Sequence, residues 1–238
     1  MATRLADAPA APWARTTGLL YLIYFVSAAP LIVRSKIFVP GNPALTAGNI
    51  IKSESLYRLT IASDVVSYVL YIALTIMLYR LFRGTNRLVA LFAMIVSLTG
   101  CAILIGASLN LLVPLTLLSS SGYGGAFRPE QLQVLAMIAL KTYSQGYNFS
   151  LVFFGCFCLS VGALIFKSTF LPKSLGVLLV MAGIGWLACS LANIAFPPIG
   201  TLLGPYASAL GIIGEGSLAL WLVFAGVKTS KWRATEAG

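Results

Sequence analysis

The sequence predicts an all-α integral membrane protein, a helical bundle of six transmembrane helices with two interfacial amphipathic segments. Of its 238 residues, 59% are hydrophobic and only 9% are charged, whereas about a quarter of the residues of a soluble protein are charged. The mean hydropathy is +0.93. Apolar runs of about 20 residues, long enough to cross a hydrocarbon layer about 30 Å thick, recur along the chain.

Composition and charge exclude several classes of function. The chain has no histidine, which removes histidine bases, histidine metal ligands and histidine pH switches. Walker, HExxH and dinucleotide-binding motifs are also missing from the sequence. The net charge of +10 would suggest nucleic acid in a soluble chain, but here basic residues flank apolar runs and indicate topology. We therefore expect no catalytic residue, no metal, no cofactor and no nucleic-acid partner.

Six apolar runs, each bounded by charged or turn-forming residues, predict the spans. They form one transmembrane domain, residues 18–227, between an N-terminal tail of residues 1–17 and a C-terminal tail of residues 228–238. We expect the first run to be a retained span rather than a signal peptide, because Pro30 would follow the cleavage point. The predicted spans are residues 18–33, 59–78, 88–113, 147–166, 175–196 and 206–227.

Two stretches beside these spans predict amphipathic helices in the membrane interface. Residues 46–58 mix isoleucine and leucine with Lys52 and Glu54, which is typical of a helix that lies in the interface. The segment from Gln131 to Phe166 contains Lys141 and is too long for one crossing, so we expect an amphipathic approach helix followed by span four. Span three continues past Pro114, so we expect it to be tilted or broken near this proline.

The distribution of basic residues predicts that both termini face the cytoplasm. Cytoplasmic loops carry an excess of lysine and arginine, and the loop between spans two and three is short and strongly basic. Trp13 and Trp232 flank the first and last spans on the same side, where interfacial tryptophans are common. Ten of the sixteen basic residues lie on this side, namely Arg4, Arg15, Arg80, Arg83, Arg87, Lys167, Lys173, Lys228, Lys231 and Arg233.

Two acidic residues lie inside the predicted spans, where a charge is costly and normally faces the protein interior or a wet cavity. They are Asp64 in span two and Glu215 in span six. Glu215 lies between Gly214 and Gly216, which allow a neighbouring helix to approach closely. Around Asp64, polar residues recur at spacings of three and four, which places them on one helical face. This stripe comprises Thr60, Asp64, Ser67, Tyr68, Tyr71 and Thr75.

The predicted orientation places these polar groups toward the non-cytoplasmic side. At about 1.5 Å per residue, Asp64 falls in the outer half of span two and Glu215 near the membrane midplane. We therefore expect a polar pocket that opens outward and is floored by Glu215. The candidate ligand-binding residues are Asp64, Glu215, Arg58, Tyr68, Tyr71, Asn148, Asn193 and Lys141.

Two interpretations of these residues stay open. In the first, the pocket binds a small molecule, an ion or a lipid, and the chain is a binding protein or a transport component. In the second, Asp64 and Glu215 satisfy hydrogen bonds between helices, with Arg58 or the tyrosines as partners. The chain would then be a structural or accessory subunit of a larger membrane assembly. The expected partners are membrane lipids, an unidentified small molecule and either a second copy or another membrane protein.

Short motifs along most of the chain also carry a family resemblance. They include Gly18, Leu20 and Tyr21; Ile50, Ser53, Leu56, Arg58 and Asp64; Leu78, Tyr79, Arg80 and Leu81; Tyr147, Asn148, Leu151, Phe153, Phe154 and Gly155; Phe170, Leu171, Pro172, Leu175 and Gly176; and Gly214, Glu215, Leu218, Leu220, Trp221 and Leu222. In these motifs the chain resembles bacterial polytopic membrane proteins with the domain of unknown function 4386. The resemblance implies a multi-pass protein of the bacterial cytoplasmic (inner) membrane and implies no activity.

The chain departs from this family pattern at one place. The family often has a histidine shortly after the Phe-Phe-Gly motif, where this chain has Cys156, Phe157 and Cys158. We therefore expect no role here that depends on a histidine.

Overall fold

A computed structural model of the protein describes residues 12–119 and 126–236, and all regular structure within them is helical. Arg4 and most of the predicted N-terminal tail lie outside these residues. The helices are α1 Pro12–Ala28, α2 Pro30–Ile37, α3 Pro43–Lys52, α4 Glu54–Phe82, α5 Arg87–Ser108, α6 Val113–Leu117, α7 Pro129–Lys167, α8 Lys173–Ala195, α9 Pro197–Phe224 and α10 Thr229–Glu236.

Among the described residues, six helical segments are long and apolar enough to cross a membrane, and the chain is a multi-pass membrane protein. The first segment combines α1 and α2, and the third combines α5 and α6. This result confirms the predicted all-α class and the number of spans. The segments are Trp13–Ile37, Glu54–Phe82, Arg87–Leu117, Pro129–Lys167, Lys173–Ala195 and Pro197–Phe224.

The first and third segments are interrupted. In the first, α1 ends at Ala28 and α2 begins at Pro30, whose nitrogen carries no hydrogen to continue the helical ladder. In the third, a 3₁₀ turn at Leu109–Leu111 separates α5 from α6, which contains Pro114. The break that the sequence predicts near Pro114 is therefore confirmed.

The fourth segment differs from the prediction because it is one continuous helix. The separate interfacial helix that we expected before span four does not exist, since α7 runs without a break for 39 residues. It is much longer than the roughly 20 residues that cross a bilayer. No proline interrupts the helix after Pro129, so its hydrogen-bond ladder continues through the polar residues of its first half.

Two helix starts also differ from the prediction. Helix α3 is shorter than the predicted amphipathic stretch, because residues from Glu54 onward already belong to α4. Helix α9 begins at Pro197, well before the predicted start of span six at residue 206. Proline is tolerated in the first turn of a helix because the N–H groups there have no intrahelical acceptor. The Pro197–Pro198 pair therefore starts a helix instead of forming a loop.

Helix α4 has a polar buried face and an apolar exposed face. The six residues of its polar stripe are all buried. Val65, Val69 and Ile76 lie on the opposite side and are 56%, 63% and 52% exposed. A membrane helix with charged groups is expected to turn them toward the protein and to face lipid with apolar residues. The predicted inward direction of the stripe is therefore confirmed.

The described residues form two compact units. Unit 1 contains the described parts of Met1–Tyr24, Leu70–Cys101 and Ser150–Gly238, and unit 2 contains Phe25–Val69 and Ala102–Phe149. Each unit has its own large, fully buried side chains. These include Tyr21, Phe82 and Phe157 in unit 1 and Ile50, Tyr57 and Leu111 in unit 2.

Helices α7 and α8 approach closely at two pairs of glycines in unit 1. A Cβ atom added to Gly183 would lie 2.8 Å from the carbonyl oxygen of Gly155, and one added to Gly162 would lie 3.0 Å from that of Gly176. A side chain at these positions would collide with the backbone of the other helix, so close approach requires glycine. The pairs are two helical turns apart on both helices, which makes them a continuous line of contact.

Candidate ligand-binding site

Unit 2 contains a cavity of about 180 Å³ beside a buried arginine. Its walls come from α2 and the residue after it, from the 3₁₀ turn between α5 and α6, and from α7. Two of these segments lie at the interruptions of spans one and three. The lining residues are Arg34, Ser35, Phe38, Leu111, Leu140, Tyr143 and Ser144.

Arg34 is held in place by polar groups from two other helices. Its NH1 atom donates to Oδ2 of Asp64 at 2.5 Å, and its NH2 atom donates to the hydroxyl oxygen of Tyr143 at 2.8 Å. The guanidinium carbon also lies 5.0 Å from the centre of the Tyr143 ring, where a cation is attracted to the aromatic face. These contacts compensate a charge that is only 5% exposed, because a buried charge needs a partner.

The guanidinium of Arg34 keeps donors that a ligand can use. Arginine has five N–H donors, and among the described residues the hydrogen bonds of Arg34 use one for Asp64 and one for Tyr143. Arg34 is also one of the residues that line the cavity. The planar array of donors in a guanidinium matches a carboxylate or a phosphate. A carboxylate or a phosphate is therefore the kind of group that the remaining donors of Arg34 would suit.

Hydrogen bonds support the backbone on both interrupted spans. The hydroxyl of Tyr57 donates to the carbonyl oxygen of Leu111 in the 3₁₀ turn at 2.8 Å. The hydroxyl of Ser63 donates to the carbonyl oxygen of Ser27, near the end of α1, at 2.6 Å. Irregular backbone at membrane depth persists only where the protein or a cavity satisfies its polar groups. Both interruptions are thus built into unit 2.

Glu215 lies in unit 1 among donors from four other helices. The hydroxyls of Tyr21 and Tyr71 donate to its Oε2 atom at 2.5 Å and 3.3 Å. The thiol of Cys158 lies 3.9 Å from Oε1, and the Trp186 side chain also hydrogen-bonds the carboxyl. A carboxylate accepts about four hydrogen bonds. The partners of Glu215 therefore match its acceptor capacity, and the carboxyl links α9 to α1, α4, α7 and α8.

Aromatic rings fix the position of Tyr71 beside this carboxyl. The ring of Tyr71 lies 4.8 Å from that of Tyr24, 5.2 Å from Phe154 and 6.0 Å from Phe157, measured between centroids. Tilted and edge-to-face pairs at such distances are favourable. The hydrogen bond from Tyr71 to Glu215 is accordingly made by a side chain whose ring is already constrained.

The predicted ligand-binding residues are divided between the two units. Asp64 and Tyr68 lie buried in unit 2, where Asp64 bonds Arg34 and the Tyr68 hydroxyl lies 2.7 Å from the hydroxyl of Ser108. Glu215 and Tyr71 lie buried in unit 1 and bond each other.

Arg58 and Lys141 are both exposed. Arg58 pairs with Glu54 one turn earlier on α4, with an NH2 to Oε1 distance of 2.8 Å. The partner of Asp64 is therefore Arg34 and not Arg58. Neither of these two exposed cations lines the cavity beside Arg34.

Asn148 and Asn193 bond the backbone of their own helices. The Asn148 side chain donates to the carbonyl oxygen of Ser144 at 3.0 Å, and that of Asn193 donates to the carbonyl oxygen of Cys189 at 2.9 Å. Both acceptors lie one turn earlier in the helix. Neither asparagine lines the cavity beside Arg34, so their role as ligand-binding residues stays a prediction.

Sequence reasoning missed two residues of this site. Neither Arg34 nor Tyr143 is among the ligand-binding residues that the sequence predicts. Pro30 was the available signal for Arg34, because a proline at the start of a helix indicates that the chain continues as a new helix beyond it. Tyr143 continues a series of buried residues, Ala136 and Leu140, at spacings of four and three, which marks an inward face of α7.

Comparison with known proteins gives one match. A family model described as Domain of unknown function (DUF4386) matches residues 16–226. No curated protein and no solved structure matches the chain. The match extends over nearly all of the six helical segments that can cross a membrane.

Proposed function

This chain belongs to the DUF4386 family, and we propose that it is a binding protein or transport component that takes an anionic amphiphile in the unit 2 cavity. The ligand carries one carboxylate or phosphate group and an apolar part. The observation that carries the proposal is a buried guanidinium with unused donors on the wall of a cavity. Charged groups inside a membrane protein are functional candidates because their burial there is costly.

The lining of the cavity supports a ligand with two chemically different parts. Arg34 contributes a cation, and Ser35 and Ser144 contribute hydroxyl groups, which donate their hydrogens to the backbone of their own helices. Phe38 and Leu140 contribute apolar surface on the same cavity. Ligand sites in proteins commonly combine mostly apolar walls with a few polar groups that orient the ligand. An anionic head at Arg34 and an apolar portion against the remaining wall satisfy both kinds of surface.

The interrupted spans favour binding over a purely structural role. Discontinuous membrane helices are typical of substrate sites in transporters, where broken backbone borders the ligand. Here the segment after the Pro30 break supplies Arg34, and the 3₁₀ turn before Pro114 supplies Leu111.

The distribution of basic residues supports a position of the site on the non-cytoplasmic side of the membrane. Basic residues at the ends of the unit 1 helices favour a cytoplasmic position for both termini, in the bacterial inner membrane that the family resemblance implies. Because Arg34 lies near the end of the first membrane-spanning segment, this orientation places its cavity toward the non-cytoplasmic side. Its ligand comes either from the membrane, as an anionic lipid, or from solution, as a free amphiphile, since both carry the same chemistry.

Thermal unfolding in lipid nanodiscs tests the proposal. Octyl phosphate and octanesulfonate, added to the protein in phosphatidylcholine nanodiscs, are expected to raise the melting temperature, while neutral octyl glucoside is not. A ligand at 100 times its dissociation constant stabilises the folded state by about 2.7 kcal/mol. Nanodiscs that contain phosphatidylglycerol reveal whether a lipid head group already occupies the site, because the added anions would then have a smaller effect.

Two matched variants assign the effect to the cavity. Arg34→Lys keeps the charge opposite Asp64 but loses the planar array of donors, so it is expected to lose most of the anion-induced shift. Arg58→Lys alters an exposed arginine and should respond as the wild type does. Equal stabilisation by octyl glucoside, or no stabilisation by either anion, would overturn the proposal in favour of the structural or accessory subunit.

A further inference from the structure

We infer that binding of an anion at Arg34 is coupled to the uptake of one proton by Asp64. This inference rests on the proposed function and deepens it. The site would exchange an internal ion pair for a bound anion and a bound proton, so that the ligand and the proton enter the protein together.

The free site holds one positive and one negative charge. Arg34 and Asp64 face each other at 2.5 Å, and the neighbouring titratable groups are phenols, which are neutral at physiological pH. The pair therefore has a net charge of zero. The titratable and charged groups around the Asp64 carboxyl are Arg34 from α2, Tyr57 and Tyr68 from α4, and Tyr143 from α7, with Tyr147 of α7 beside Tyr68.

A bound anion would upset this balance. With the ligand and Asp64 both negative, one guanidinium would face two anions in a site where the Asp64 residue is 6% exposed. Among the described residues, Arg34 is the hydrogen-bond partner of the Asp64 carboxyl, so no second donor would compensate it. A buried carboxylate that must share its only cation with a second anion is left partly uncompensated, and it becomes neutral by taking up a proton because the buried charge costs more.

Uptake of one proton balances the charge of the bound anion. The Asp64 carboxylate takes one proton from water and becomes a carboxylic acid. The guanidinium remains protonated and pairs with the ligand anion. The site is neutral before and after binding, and the net result is the entry of one anion together with one proton.

Octanesulfonate provides the test, because its charge does not change with pH near neutrality. Its affinity is measured on the full chain in phosphatidylcholine nanodiscs between about pH 6 and pH 8. Uptake of one proton per anion predicts that the apparent dissociation constant rises about tenfold for each pH unit. A pH-sensitive dye in weakly buffered solution should report one proton taken up for each anion bound.

Two variants distinguish Asp64 from other groups. Asp64→Asn carries no ionisable carboxyl, so its affinity for octanesulfonate should not change with pH and should exceed that of the wild type at the highest pH. Glu54→Gln removes an exposed carboxyl that also pairs with an arginine, and it should keep the tenfold dependence. If Asp64→Asn does not fold, the dye measurement on the wild type still decides.

The outcomes separate this inference from the proposed function. If octanesulfonate binds the wild type with the same affinity at every pH and without proton uptake, the coupling is overturned while anion binding stands. If Asp64→Asn keeps the pH dependence, another group takes the proton and the inference is wrong. If octanesulfonate binds at no pH, the proposed function fails and the coupling fails with it.

Discussion

The hydroxyl of Tyr21 lies 2.5 Å from the Oε2 atom of Glu215, which joins the first membrane-spanning segment to the last. The two residues are 194 positions apart in the sequence. Both are buried in unit 1, and Glu215 has further partners on three other helices. One carboxyl on α9 therefore serves as a common acceptor for side chains from four other helices of this unit.

We expect Glu215→Leu to lower the stability of the protein strongly. The substitution leaves the Tyr21 hydroxyl and the Trp186 indole without their acceptor, and each unsatisfied buried donor costs about 1–3 kcal/mol. Glu215→Gln keeps a carbonyl acceptor and should lose less. Thermal unfolding in one detergent measures both, with the exposed Glu54→Leu as the control. Equal melting temperatures for Glu215→Leu and Glu54→Leu would show that these hydrogen bonds do not stabilise unit 1.

Arg34 and Asp64 are expected to be strongly coupled in a double-mutant cycle. Removal of one partner of a buried ion pair costs about 3–5 kcal/mol, because the other charge is left uncompensated. Arg34→Leu and Asp64→Leu should each be destabilising, and the double variant should be much more stable than the sum of the two losses predicts. The exposed pair of Glu54 and Arg58 is the control, with an expected coupling below about 1 kcal/mol. Additive losses at Arg34 and Asp64 would contradict the assignment of this pair.

The contact between α7 and α8 is expected to tolerate no side chain at Gly183. A methyl group there would collide with the carbonyl oxygen of Gly155, so Gly183→Ala should force the helices apart and lower the melting temperature. Gly216→Ala is the matched control, since a Cβ at Gly216 meets nothing within 4 Å. Alanine should there be neutral or stabilise the helix by up to about 1 kcal/mol. The same effect for both substitutions would rule out close packing at Gly183.

The charge bias predicts cytoplasmic termini, and reporter fusions measure this directly. An enzyme that is active only in the periplasm should be silent when it is fused after Gly238. The same reporter inserted between α2 and α3, near Gly41, should be active, because this loop follows one crossing. Activity of the fusion after Gly238 would show that either the orientation or the number of crossings is wrong.

Length, hydropathy and periodicity were sufficient to predict the fold class and the direction of the polar face of α4. A bilayer requires about 20 apolar residues per crossing, and it makes an inward direction for polar groups strongly favourable. Both effects act within a single helix. For this reason the burial of Asp64 and Tyr71 could be predicted without knowledge of any other span.

Helix boundaries were harder to predict because proline and polar residues occur both within helices and in the segments between them. Pro197 begins α9 and Pro30 begins α2, although proline also marks loops. Lys141 lies inside α7 and does not separate an interfacial helix from a span. Whether such a residue lies within a helix or at its boundary depends on whether neighbouring helices satisfy the backbone polar groups and cover the chain. Short sequence patterns do not specify this.

The sequence by itself predicted six segments that are long and apolar enough to cross a membrane, as the described residues show, and the burial of two carboxyls among them. Only the tertiary structure decided the partners of those carboxyls. Arg34, on the helix that begins at Pro30, bonds Asp64 on α4, and Tyr21 on α1 bonds Glu215 on α9. Such pairings depend on side-chain packing between helices that are distant in the chain, and hydropathy and periodicity describe one helix at a time.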